Sequence, residues 1–221
     1  MLLIGYYTKG TPYEADAERL RRSCEAVNVP YRLLAVPPTA DWDEATALKP
    51  LVIRHFRERV AGGLLYCDVD AVVHENCCAY FDGLEGTATF AVHWFQGPGC
   101  GGREQGNMAE HLLSGTMWFA DTLEARFLLD AWIARNDEKR IGGGQTNLAE
   151  VIAEGAVSAN LVCRIPGRYC WVFHKPEAYP PGEYPVIEHL MASRENRGLS
   201  KGTLDPLRQL RLAALEVEYA N

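Results

Sequence analysis

The chain has 221 residues, 48% of them hydrophobic and 23% charged, and a net charge of −7. This is the balance of an ordinary globular protein with enough chain to bury a core. No apolar run reaches the roughly 18 residues a membrane helix needs, and an acidic chain is a poor match for a large nucleic-acid surface, which is usually basic.

Residues 2–7 are apolar, but the run is short and lacks a basic leader, so it reads as a first strand and not as a signal peptide. Residues 13–27 set Ala and Leu at helical spacing among charges, and Pro30 stops them. Residues 31–36 are a second strand, closed by Pro37-Pro38. A helix follows over 46–60, with Leu51, Val52, His55 and Phe56 expected on one side and Gly62-Gly63 as its end. Residues 64–67 form a third strand. This strand–helix alternation predicts a parallel sheet covered by helices, whose ligands bind beyond the carboxyl ends of the strands.

The second half is less regular. Strands are expected over 87–94, 113–119, 161–163, 170–173 and 185–189. A helix over 122–136 should turn Phe127, Leu128 and Trp132 inward, with Asp121 or Thr122 as its cap. Another follows Gly142-Gly143-Gly144 over 146–153, and Asp205-Pro206 opens a last one over about 205–219, cap and first-turn proline in their favoured places. The glycine-rich stretch 96–106 reads as a flexible loop and a candidate lid. No repeat or domain boundary is evident, so the chain reads as one domain. Seven cysteines without a C-x-x-C spacing predict no structural zinc and a reducing, cytoplasmic setting.

The chemistry concentrates at the end of the third strand, in Asp68-Val69-Asp70. Alternate residues of an extended segment share a face, so Val69 can pack inward while both carboxylates face a cleft and repel each other. A divalent cation would reverse that repulsion, because carboxylate and phosphate oxygens hold Mg2+ or Mn2+. His189 can supply a further nitrogen ligand. Arg194, Arg197 and Lys201 form a basic cluster in an acidic chain, and arginine forks suit phosphate oxygens. Ser114-Gly115-Thr116 interrupts a strand with a glycine, the mark of a bulge or of close approach to a ligand. Gln145, at the start of a helix, can hydrogen-bond a hydroxylated ligand or cap the helix. The Gly-Gly-Gly-Gln turn lacks the lysine of a phosphate-binding P-loop.

Together these residues resemble the nucleotide-sugar glycosyltransferases of the GT-A fold. The string from Leu64 to Val73 looks like their metal-binding strand end. Lys49-Pro50, Ser114-Gly115-Thr116, the Gly-Gly-Gly-Gln turn and His189 follow in the order those enzymes show, over roughly residues 1 to 197. The resemblance implies an α/β fold of GT-A type (Rossmann-like, the nucleotide-diphospho-sugar transferase fold) with a mostly parallel central sheet. It implies a metal-dependent hexosyl- or pentosyltransferase, using Mn2+ or Mg2+. Asp68, Asp70 and His189 would hold the metal. Tyr7 and Thr8 would lie beside the base and ribose, Asp68 near the ribose, and Lys49 near the nucleotide or its phosphates. Ser114 and Gly115 would line the donor sugar. Gln145 would sit by the reacting sugar, and Arg194 would face the diphosphate, so that Asp70, Gln145 and Arg194 carry the catalysis.

Many relatives have an acidic residue beside or in place of that glutamine, whereas here Gly144 precedes Gln145. No residue stands out as the carboxylate base an inverting enzyme needs, Glu104, Glu110 and Asp121 lying nearby without a motif, so retention is favoured. A nucleotidyltransferase or sugar-nucleotide pyrophosphorylase is the alternative enzyme, but it should carry a glycine-rich basic signature after the first strand, where only Thr8-Lys9-Gly10-Thr11 stands. A non-catalytic nucleotide-sugar-binding module is the alternative of another class. The acceptor is open among glycan, lipid, protein, small molecule and modified nucleobase, with nucleic acid the less favoured.

Overall fold

The computed structural model describes residues 1–96, 110–139, 144–192 and 204–218. Arg194, Arg197, Lys201, Cys100, Glu104, Gly142, Gly143 and nearly all of the glycine-rich stretch lie outside them.

The elements run β1 (Leu2–Thr8), α1 (Tyr13–Ala26), β2 (Tyr31–Val36), α2 (Trp42–Arg57), β3 (Leu64–Cys67), β4 (Ala71–Val73), α3 (Cys78–Asp82), β5 (Phe90–Phe95), β6 (His111–Phe119), α4 (Leu123–Glu138), α5 (Gly144–Ala153), β7 (Val162–Arg164), β8 (Trp171–Val172), β9 (Ile187–His189) and α6 (Leu204–Glu218). The main sheet has the order β2-β1-β3-β6-β5-β7, and β6 alone runs against the other five strands. A second sheet has the order β4-β9-β8. The expected α/β architecture with a mostly parallel central sheet is therefore present.

The centre of the main sheet is buried on both faces, which is why β3 reads as a continuous apolar run, whereas the edge strands β2 and β7 are partly exposed. Neighbouring residues go to opposite sides: Leu3, Leu65, Cys67 and Trp118 pack with Leu20 and Cys24 of α1. Ile4, Leu64, Tyr66 and Phe119 pack with Ile53 of α2 and Leu128 and Trp132 of α4. Burial pushes the Cys24 and Cys77 thiols up to about 12. The six described cysteines are all unpaired, and no helix among the described residues is long and apolar enough to cross a membrane.

Two helix faces differ from expectation. Leu51 and His55 point to solvent on α2, and Phe127 is 63% exposed on α4, so the inward stripes are Val52, Ile53 and Phe56, and Leu128, Leu129 and Trp132. These helices pack on each other as well as on the sheet, and that shared contact sets their rotation. Thr122 is the cap of α4, its hydroxyl accepting from the Ala125 N–H at 3.2 Å. α6 begins at Leu204, so Asp205 sits within the first turn and not ahead of it.

Gly5 of β1 has a packing role. A Cβ there would lie 2.8 Å from the Cys67 carbonyl oxygen and 3.2 Å from Leu33 Cδ2. The first of these is backbone and cannot swing aside. Gly5→Ala is expected to destabilise the fold by about 1–3 kcal/mol, the usual cost of overpacking, read as a lower denaturation midpoint at unchanged slope.

Candidate active site

The acidic tripeptide is the passage between the two sheets. β3 ends at Cys67 and β4 begins at Ala71, so Asp68-Val69-Asp70 carries the chain from one to the other. Val69 is buried in the core and anchors the passage. The Asp68 N–H donates to the Gly115 carbonyl at 2.8 Å, and the Ala71 N–H to the Asp68 carbonyl at 3.0 Å. Both aspartates border a cleft of about 440 Å³ at the carboxyl ends of β1 and β3, where parallel sheets receive ligands.

Register brings His189 to this point. Ala71 of β4 faces His189 of β9 in the antiparallel ladder, and the Leu190 N–H donates to the Asp70 carbonyl at 3.1 Å. The His189 Nδ1 lies 3.6 Å from Asp70 Oδ1, and its Nε2 is 2.8 Å from Thr116 Oγ1. Burial opposes a charge on this ring, but the neighbouring Cys170 sulfur and the Asp70 carboxylate outweigh it and raise the imidazole pKa. Burial likewise opposes ionisation of Asp70, yet His189, the Ala192 N–H and Arg208 hold its carboxyl below the usual range. That Ala192 N–H reaches Asp70 Oδ2 at 2.8 Å because Met191 turns the chain back at φ 56°, a left-handed conformation that non-glycine residues seldom adopt.

Ser114-Gly115-Thr116 forms a bulge. Along β5 the partner jumps from Met117 at Val92 to Leu113 at His93, leaving these three residues without a β5 partner. Bulges re-aim side chains beside sites, and here Ser114 and Thr116 are both turned to use. The space at Gly115 is taken by the His189 ring, whose Cε1 would lie 2.9 Å from an added Cβ.

On the other side of the cleft Lys49 is buried. Its Nζ is 2.8 Å from Asp68 Oδ1, 3.1 Å from the Ser114 carbonyl and 3.2 Å from Ser114 Oγ, and it sits 5.1 Å from the centre of the Tyr66 ring. The Tyr66 hydroxyl donates to the same Asp68 oxygen at 2.7 Å. Burial, then the Asp68 charge, push the Tyr66 and Tyr6 phenols well above their ordinary pKa, so both remain donors. Gln145 continues the chain of contacts. Its Oε1 accepts from the Ser114 N–H at 2.9 Å, which orients the amide and aims Nε2 at His111 Nε2, 2.6 Å away.

The structure thus places Tyr7, Thr8, Lys49, Asp68, Asp70, Ser114, Gly115, Gln145 and His189 around one cleft. It does not bring the three expected metal ligands into a ready-made cluster: among the described residues no three acidic, histidine or cysteine side chains converge that way. Asp70 faces His189, whereas Asp68 is turned to Lys49 and Tyr66. The repulsion between the carboxylates is relieved separately, by the lysine for one and the imidazole for the other. Sequence reasoning missed Tyr6, Trp42, Tyr66, His111 and Cys170, which also line the cleft. Strand alternation puts Tyr6 two residues beyond Ile4 on one face, and this signal was available. His111 lay outside the strand as expected, and Trp42 and Cys170 carried no signal.

No family model matches the chain, and no curated protein matches it. Solved structures do. A glycosyltransferase involved in the glycosylation of the major capsid of PBCV-1 superposes with a TM-score of 0.64 over 98% of each chain, at 10% identity. The chain has the GT-A glycosyltransferase fold. Two more structures with this GT-A fold are GlyE of Streptococcus pneumoniae, with a TM-score of 0.57 at 11% identity over 96% of this chain and 63% of that one, and the galactosyltransferase LgtC in complex with donor and acceptor sugar analogs, with a TM-score of 0.52 at 13% identity over 86% of each. At such identities the likeness is one of fold. Within the GT-A fold of this chain, the cleft is built where the parallel strands end, and the reversed strand β6 closes it with its bulge.

Proposed function

We propose that the protein is a metal-dependent glycosyltransferase that moves a sugar from a nucleotide-diphosphate donor to an acceptor. The observation that carries this reading is that Asp68, Asp70, His189 and Lys49 line one cleft at the strand ends of a GT-A fold. Two carboxylates and an imidazole are oxygen and nitrogen donors suited to Mn2+ or Mg2+, so the residues fit the ion in kind. Asp68, Asp70 and His189 would hold it, His189 giving up its proton on binding. The bound ion would supply charge stabilisation at the departing diphosphate.

The chain's own residues do the rest. Tyr7 and Thr8, at the end of β1, receive the base and ribose. Lys49 holds Asp68 and Ser114 in place and adds positive charge beside the phosphates. Ser114 and Gly115 border the donor sugar, and Gln145, oriented by Ser114, presents its amide to the reacting sugar. Arg194 would complete the diphosphate site. Among the described cleft residues the only carboxylates are Asp68 and Asp70, and with no other residue marked as an acidic base by a motif, retention is the outcome we favour. The six described thiols, four of them buried, form no disulfide, which favours a reducing, cytoplasmic setting.

The test is a screen of nucleotide sugars for manganese-dependent donor hydrolysis. LgtC is a galactosyltransferase and another solved structure with this fold is mouse xyloside xylosyltransferase 1, so hexose and pentose donors both belong in it. At least one donor is expected to be hydrolysed with Mn2+ and not with a chelator, and proton NMR of the first product should show the donor's anomeric configuration retained. Tight donor binding with no turnover on any acceptor would mark a binding module. Turnover that instead releases inorganic pyrophosphate from a nucleoside triphosphate and a sugar phosphate would mark a nucleotidyltransferase.

A further inference from the structure

The residues on either side of His189 are both gripped by the terminal helix. Arg211 of α6 places its Nε 3.0 and 3.1 Å from the two Glu188 oxygens and its Nη2 2.7 Å from Oε2. Arg208, one turn earlier, donates from Nε to the Leu190 carbonyl at 3.1 Å and from Nη2 to Asp16 Oδ1 at 2.9 Å. Asp16 belongs to α1 and is also held by Arg19 at 2.7 Å. Glu188 is further held by His74, just past β4, at 2.9 Å. One arginine therefore fixes the residue before His189 and the other the residue after it. The two are three positions apart on a helix and share a face, while Glu188 projects from β9 to the side opposite His189.

These are costly contacts for mere adhesion. Glu188 and Arg208 are almost wholly buried, and a buried ion pair returns little net stability against its desolvation. What a planar guanidinium fork does supply is fixed geometry. The strand it fixes is three residues long and carries one residue that faces the cleft, His189.

We infer that α6 is the positioning element of the metal site, with Arg208 and Arg211 as the positioning residues that set His189 against Asp70. This rests on the proposed metal reading. Partners of a ligand typically alter metal affinity 10- to 100-fold when removed, and these two hold the residues that flank His189, Arg211 through the Glu188 carboxylate and Arg208 through the Leu190 carbonyl, Arg208 also lending its charge to Asp70.

The test is calorimetric titration of MnCl2 into the full-length protein, with thermal unfolding of the same samples in chelator. Arg211→Gln is expected to weaken Mn2+ binding about 10-fold, and Arg211→Lys less, because the ammonium keeps the charge and loses the fork. Arg208→Lys should weaken it similarly. Leu128→Ala, a core truncation on α4 remote from the cleft, is expected to lower the melting temperature and leave Mn2+ affinity unchanged. If Arg211→Gln does not fold, Arg211→Lys and Arg208→Lys carry the measurement. Unchanged Mn2+ affinity in the folded arginine variants, beside clear binding by the wild type, overturns the clamp and leaves the metal reading standing. Absence of Mn2+ binding by the wild type overturns both.

Discussion

Asp70→Asn is expected to abolish manganese-dependent donor hydrolysis while the protein stays folded. The substitution keeps the shape of the side chain and an oxygen that can accept the Ala192 N–H, now made at 2.8 Å. It removes the charge that faces His189 at 3.6 Å. With that charge gone, the buried imidazole loses one of the two neighbours that favour its protonated form, the Cys170 sulfur being the other. The cost to stability should be about 1–3 kcal/mol, the scale of a weakened buried polar contact. The cost to turnover should be about 100-fold or more, the scale on which loss of one preorganised charge-stabilising group is felt. Circular dichroism checks the fold, and donor hydrolysis with and without Mn2+ checks the site. Wild-type activity in Asp70→Asn would remove Asp70 from the metal and with it the basis of the assignment. Asp68→Asn makes an informative pair. Its carboxylate is held by Lys49 and Tyr66, so the substitution also loosens Lys49 from the cleft wall.

Gly115→Ala is expected to damage the site without touching a charged group. The new methyl would stand 2.9 Å from His189 Cε1, 3.1 Å from Nδ1 and 3.2 Å from Nε2. The ring has little room to give, since it is buried and held by Thr116 on one side and Asp70 on the other. Overpacking of this kind costs about 1–3 kcal/mol, and a shifted ring should weaken Mn2+ binding by about 10-fold. Calorimetry against MnCl2 and the urea midpoint test the two parts separately. Full affinity in the alanine variant would show that the imidazole position does not depend on this glycine.

Much of the frame was legible. β2 and β3 have the expected bounds and β1 extends by one residue; β3, buried throughout, shows itself as an unbroken apolar run, and the half-buried edge strand β2 is marked by the Pro37-Pro38 that closes it. The acidic pair was legible for a different reason: charge at the end of such a run needs compensation, and that need is visible without a structure. The short elements were not. β4 and α3 have three and five residues, too few to display a period. Helix rotation was legible only in part. Apolar residues at Leu51 and Phe127 match a helical stripe, yet both lie on outer faces, because the contact between α2 and α4 chooses among stripes of similar composition.

The sequence by itself determined the strand–helix order, the strand ends on which chemistry can sit, and the residue types gathered there. Tertiary structure decided who compensates whom. Lys49 meets Asp68 because α2 crosses the end of β3, and His189 meets Asp70 because β9 pairs with β4 in one register and no other. The bulge at Ser114-Gly115-Thr116 opens the place the imidazole fills, and α6 closes on the residues flanking it. These are contacts between segments far apart along the chain, and neither local period nor motif spacing encodes distances of that kind. They follow from which faces pack, and packing is settled only when the whole chain has folded.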